Sequence, residues 1–242
     1  MIDHDFKDGT TLITLNRTER RNALDTEHCL SLGHALRDAV AAGSRSIVVT
    51  GAGTAFCAGA DLDQEYDVAF RDALYGAFEI ICAVPVPVIA WVNGPAIGAG
   101  TQLAIACDLR VVAPAAVFAV PTASNGLAVD PWTIRRLAML AGGGTAGALL
   151  LGSERISAEQ ALTRGLADRA GSHADAMAWA AQLAELAPLS LAYSKSALAT
   201  VGADTEAQPD LIAAFEACWD SEDVREARRA RAECRNPVFT GR

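Results

Sequence analysis

The stretch Asn93–Arg110, NGPAIGAGTQLAIACDLR, decides the fold. An apolar strand runs into a Gly/Ala turn, and the turn opens directly into an alanine-rich helix. A helix that begins in this way leaves its first N–H groups unpaired and pointing outward. Ala55–Leu62, AFCAGADL, repeats the arrangement: Gly59 permits a backbone geometry that side chains resist, and Ala60 presents its N–H just beyond it. Two such turns facing each other form an oxyanion trap, each donor contributing about 3 kcal/mol toward a developing enolate. Either turn alone needs do no more than let a strand and a helix pack closely. The pair points to a site.

Around these turns the pattern is α/β, strands alternating with helices as in a layered or coiled parallel sheet. Thr11–Leu15 alternates polar and apolar residues, as a strand with one exposed face should. Asp25 caps a helix with Leu32, Ala35, Leu36, Ala39 and Val40 on one face. Ile47–Thr50 is a buried strand. Asp63, Glu65 and Asp67 favour the start of the next helix, whose stripe is Phe70, Ala73, Leu74, Ala77, Phe78 and Ile81. Val86–Val92 and Leu109–Ala113 are strands. After Pro131 the pattern predicts helices only, with a capping box at Ser157 and Gln160 and a stop at Gly165. Phe215 and Trp219 share a face of a late helix. A soft boundary near Pro188 divides a core, 1–187, from an all-helical oligomerisation region, 188–242.

Composition narrows the function. The 242 residues carry a net charge of −9, which argues against nucleic acid and an anionic membrane surface as main partners. The longest apolar run, Ile80–Val92, is broken by Pro85 and Pro87 and is too short to span a bilayer. The N-terminus, MIDHDFKDG, is charged and polar, unlike a secretory signal, so a cytoplasmic location is expected. Six cysteines lack a CxxC pair or any cysteine/histidine ligand spacing, so no metal site is expected. Gly94, Gly98 and Gly100 are not spaced as a dinucleotide fingerprint.

The two turns, with NRTERRNAL (Asn16–Leu24), PVPVIAWVNG, ACDLRVVA and ISAEQALTRGLADR, resemble the crotonase (enoyl-CoA hydratase/isomerase) superfamily nearly end to end. The resemblance implies a ββα spiral core with helices at the C-terminus that assemble a homotrimer or hexamer. It implies a coenzyme A thioester as ligand and no tightly bound cofactor. The amides of Ala60 and Ala99 would grip the thioester oxygen, with Gly98 beside them in the acyl pocket. Arg21 and the backbone at Ala23 would meet the nucleotide end of CoA, and Leu62 and the backbone around Asp61 would line its adenine pocket. A cation near Arg235 of a neighbouring subunit would approach the phosphates.

Family hydratases use two glutamates to hydrate an enoyl thioester. Those positions correspond here to Gln102 and Thr122, neither of which titrates near neutral pH. General acid–base groups contribute about 10²–10⁴-fold each, so efficient hydration is not expected. Gln102, Thr122 and Trp132 would instead line the acyl pocket. Asp130 opens DPWTIRRL where some crotonase homologues carry an acting aspartate, but Asp before Pro131 is also a helix cap with a first-turn proline. Trp132 is read equally as a channel wall or a core residue. Cys57 reads as a small buried residue, and His4, His28, His34 and His173 lie outside every motif. The chain resembles most the actinobacterial homologues without either glutamate. They imply binding of fatty acyl-CoA and its delivery to the proteins of fatty-acid or mycolic-acid synthesis. The rival reading is an enzyme acting on an acyl-CoA enolate with Asp130 as acid or base.

Overall fold

A computed structural model describes residues 1–61, 68–125, 127–201, 213, 217 and 221–242. Leu62, Asp63, Glu65, Asp67, Phe215 and Trp219 lie outside the described residues. The chain builds two sheets and steps between them. β1 (Ile2–Lys7), β2 (Thr10–Leu15), β3 (Ser46–Gly51), β4 (Val88–Val92), β6 (Leu109–Val112) and β9 (Arg169–Ala170) lie side by side in that order, with β5 (Pro95–Ile97), β7 (Val117–Ala119) and β8 (Arg155–Ser157) in a second sheet. Among the described residues, β1–β2 and β7–β8 pair antiparallel and the other neighbouring strands parallel. Twice a strand of the large sheet is followed by one of the small sheet and then a helix: β4–β5–α3 (Ala99–Ala106) and β6–β7–α4 (Pro131–Leu150). This is the spiral of ββα units that the resemblance implies.

The main core lies inside the spiral. α1 (Thr26–Ala41) buries Leu32, Ala35, Leu36 and Ala39, while α2 (Val68–Ala83) buries Phe70, Ala73, Leu74, Ala77, Phe78 and Ile81. Those are the stripes that helical periodicity marks. The other face of the large sheet is covered by α6 (His173–Ala184), whose Ala176 and Ala180 pack on Val48, Ile89 and Val111. Covered on both sides, the parallel strands read as continuous apolar runs.

Two expectations need correction. β2 alternates in burial, but not by polarity: Leu12 and Thr14 are half-buried, Ile13 and Leu15 are buried, and so are Thr10 and Thr11. Their hydroxyls meet Ser46 at 2.9 Å and Ser44 at 2.5 Å, so polar residues survive inside by bonding one another. Nor is the chain beyond Pro131 helical only. β8 and β9 each complete a sheet edge with three and two residues, too few for any periodicity to register.

Other local signals hold. Ser157 and Gln160 make a reciprocal capping box at α5 (Ala158–Thr163), and Pro188 stands in the first turn of α7 (Pro188–Thr200). Lys195 ties α7 to the core, 2.8 Å from the Asp108 carboxylate and 3.0 Å from the Val86 carbonyl. The C-terminal α8 (Glu222–Ala232) is joined to the residues after it through Glu226, which meets Arg229 and Arg235. Helix α4 is broken at Gly142, whose φ of 76° and ψ of 155° lie outside the helical region. Positive φ is what glycine tolerates, and it divides the helix into two rods.

Candidate functional site

The two Gly/Ala turns pack directly on each other. Phe56 and Cys57 each donate an N–H to the Pro95 carbonyl at 3.1 Å, and Ile97 donates to the Cys57 carbonyl at 3.0 Å. This short ladder leaves no room for side chains. A Cβ on Gly59 would come within 2.8 Å of the Ile97 oxygen, and one on Gly100 within 2.1 Å of the Cys57 oxygen. Gly59 also has φ +109°, so both residues are glycine of necessity.

The backbone beyond each glycine carries the chemistry. On one side of Ala60, Leu24 donates to the Gly59 carbonyl at 2.8 Å; on the other, Asp61 donates to the Leu24 carbonyl at 2.8 Å. In this parallel bridge the Ala60 N–H faces away from Leu24, and no described residue accepts it. Ala99 opens α3 after Gly98 (φ 55°, ψ −115°), which provides no side-chain cap. The N–H of Gly98 is taken by the Ala119 carbonyl at 2.8 Å, whereas that of Ala99 has no described acceptor. Two open amides therefore stand on abutting turns, one of them at a helix N-terminus, where the aligned peptide dipoles favour negative charge.

A hub that sequence reading missed holds the first turn. Arg17 reaches Asp61 at 2.7 Å, Asp25 at 3.3 Å and the Ala23 carbonyl at 3.2 Å. Asn22, almost wholly buried, donates to the Ala52 and Ala55 carbonyls at 2.9 and 2.8 Å. Burial alone would push Asp25 up, yet hydrogen bonds from the His28 backbone and ring, with the Arg17 charge, hold its carboxyl below the usual range. Arg21 is exposed and borders a cleft of about 260 Å³ that Ala55, Ala58, Pro95, Ile97 and Arg155 also line. A larger groove, about 400 Å³, runs between α1 and α2 past Cys29, Gly33 and Gly76. Burial pushes the Cys57 thiol up to about 12, and its Sγ–H points to the Gly59 carbonyl at 3.8 Å; at neutral pH it is a thiol in the turn and no nucleophile.

Gln102 lies on α3 three residues beyond Ala99, on the same face, and is buried. Its Nε2 donates to Thr133 Oγ1 at 2.9 Å. Thr133, fully buried in the first turn of α4, donates its hydroxyl to Asp130 Oδ1. Asp130 Oδ2 accepts the N–H groups of Trp132 and Thr133 at 3.0 and 3.3 Å. Asp130 is thus the N-cap of α4, and both of its oxygens are engaged. Trp132 is half-buried and packs against the core, and Thr122 is half-buried in the turn after β7. Thr133 is a second residue that sequence reading missed. Among the described residues no histidine, cysteine or carboxylate cluster could hold a metal, and no helix is long and apolar enough to cross a membrane.

A ββα spiral with two abutting amide turns defines a protein of the crotonase superfamily. The chain belongs to the enoyl-CoA hydratase/isomerase family, whose sequence model matches residues 5–242. It is 50% identical over 242 residues to "Probable enoyl-CoA hydratase echA6" of Mycobacterium tuberculosis (strain CDC 1551 / Oshkosh), covering 100% of both chains. A Mycobacterium leprae relative of the same name is 48% identical over 246 residues, again with 100% of both covered. Among solved structures, an enoyl-CoA hydratase/carnithine racemase from Magnetospirillum magneticum superposes with a TM-score of 0.91 at 28% identity, covering 100% of this chain and 96% of that one. An enoyl-CoA hydratase from Polaromonas sp. JS666 gives 0.86 at 32% identity, with 99% of each chain covered.

Proposed function

We propose that this chain is a fatty acyl-CoA-binding protein of lipid metabolism that holds a thioester without hydrating it efficiently. The amides of Ala60 and Ala99 form the oxyanion hole, and the acyl chain runs past Gly98, Gln102, Thr122 and Trp132. Arg21, Ala23, Asp61 and Leu62 receive the CoA portion. The observation that carries this reading is the pair of open amides beside Gln102, a neutral side chain tied to a helix cap. Family membership supports a CoA thioester as ligand, and no step requires a bound cofactor.

Hydration needs a group that takes a proton from water and another that protonates the α-carbon. Gln102 and Thr122 offer neither, and Asp130 has both oxygens committed to its own helix. The mycobacterial relatives are named as hydratases, and the proposal departs from that name at this point. Such a protein keeps the binding half of the fold and delivers acyl-CoA to fatty-acid or mycolic-acid synthesis, acting as a homotrimer or hexamer in the cytoplasm.

Thermal unfolding across a series of acyl-CoA lengths tests the binding. A ligand at about 100 times its Kd adds roughly 2.7 kcal/mol of stability. A flat series removes the proposal, and so does crotonyl-CoA hydration at the rate of a family hydratase.

A further inference from the structure

The two open amides are held in different ways. That of Ala99 takes its direction from the helix it opens. That of Ala60 takes its direction from a segment distant in sequence, residues 21–24. The Ala58 N–H is donated to the Arg21 carbonyl at 3.0 Å, the Leu24 N–H to the Gly59 carbonyl at 2.8 Å and the Asp61 N–H to the Leu24 carbonyl at 2.8 Å. The Ala60 N–H lies between the last two of these bonds, so it points wherever residues 21–24 hold the turn.

Those residues do not keep their course unaided. Arg21 and Asn22 both stand in the left-handed region, with φ of 51° and 59°, which residues bearing a side chain enter at a cost. Arg17 keeps them there. Its backbone N–H donates to Asn22 Oδ1 at 3.0 Å. Its guanidinium spans the ladder, donating to the Ala23 carbonyl at 3.2 Å on one side and meeting the Asp61 carboxylate at 2.7 Å on the other. Asp25, 3.3 Å away, anchors the same guanidinium to the start of α1. A planar fork of donors serves all three partners at once, as a single point charge does not.

We infer that Arg17 is the positioning residue of the Ala60 amide. Through that amide it sets how strongly the site tells a thioester from a ligand of equal length without a carbonyl. A hydrogen bond weakens steeply once its angle falls below about 120°, so a turn that tilts without unfolding is enough to lose the contact. This inference rests on the thioester-binding reading above and extends it to the side chain that aims one of the two amides.

The test is calorimetric titration with pairs that differ only at the carbonyl, butanoyl-CoA against S-butyl-CoA and hexadecanoyl-CoA against S-hexadecyl-CoA. The unaltered protein should bind each thioester tighter than its thioether. In Arg17→Gln that ratio should fall about 3- to 10-fold, the worth of one hydrogen bond, while the thioethers still bind. Arg17→Lys keeps a charge on Asp61 without spanning the ladder, so its ratio should lie between the two. Should Arg17→Gln fail to fold, Asp61→Asn removes the ion pair from the other side and should lower the ratio in the same sense. A role confined to stability, or to the CoA portion, would weaken thioester and thioether alike. An unchanged ratio in Arg17→Gln, or in Asp61→Asn where it stands in, therefore overturns the inference. If neither member of a pair binds, or the unaltered protein does not tell them apart, the thioester-binding reading itself has failed.

Discussion

The Arg17 guanidinium stands 2.7 Å from the Asp61 carboxylate. Through this contact the residue after Ala60 is fastened to the segment that leads into α1. The same guanidinium reaches Asp25, the cap of that helix. One cation thus fixes the entry to α1 and the far side of the first turn together.

Arg17→Gln leaves Asp61 and Asp25 close together without their shared cation. The Arg17 side chain is 19% exposed and that of Asp61 8%, so solvent screens the loss in part. The expected destabilisation is about 2–3 kcal/mol. Urea unfolding measures it, and acyl-CoA affinity should fall as the Ala60 amide loses its support. A variant of unaltered stability would mean that Arg17 is incidental.

Gln102→Glu does not restore hydration. Thr133 has one hydroxyl proton, and it is already donated to Asp130. A carboxylate at 102 would face lone pairs where the carboxamide placed N–H groups. Loss of a buried partner costs about 1–3 kcal/mol, so the variant should unfold at lower urea and show no gain in crotonyl-CoA hydration. Loss of enoyl absorbance with crotonyl-CoA is the assay, and a clear rise in rate contradicts the hydrogen-bond chain from Gln102 through Thr133 to Asp130.

Arg110 is the largest fully buried side chain among the described residues, bonded to the Leu166 carbonyl at 2.7 Å, the Cys107 carbonyl at 3.0 Å and Asp168 at 3.0 Å. Lysine keeps the charge but cannot reproduce that fork. Arg110→Ala should cost about 3–5 kcal/mol by leaving the partners unmatched, with Arg110→Lys between it and the unaltered protein. Equal stability of the three in denaturant would refute this.

Glu226 gives a pH signature. Hydrogen bonds from Arg235 and from the Val238 N–H lower its carboxyl to about 2, from an ordinary 4.5. A folded-state value below the unfolded one means stability fully present above pH 4.5 and lost as pH falls toward 2. Thermal unfolding between these limits should show a steeper loss in the unaltered protein than in Glu226→Gln. Parallel curves would show that the α8 contact contributes nothing.

The sequence was most legible where one residue type answers one backbone demand. The paired glycine turns, the stripe from Phe70 to Ile81 and the Asp130–Pro131 helix start all reappear in place. Longer-range partnerships were not legible. Thr133 is an unremarked residue in DPWTIRRL, and its partner Gln102 lies 31 positions earlier. Arg17 looks no different from Arg20 or Arg21 until Asp61 is brought beside it. The strands β8 and β9 owe their existence to a neighbour's open edge, and Thr10 and Thr11 are buried because Ser44 and Ser46 face them.

The break at Gly142 gives α4 a natural seam. Asp130, Trp132 and Thr133 all lie on its near side, while the far rod carries none of the candidate site. Asp130–Ala141 is consequently a cassette. Grafted from a homologue with a different helix start, with Leu137 kept in the core and Arg136 kept on the Ile105 carbonyl, it would exchange every α4 contribution to the site in one piece.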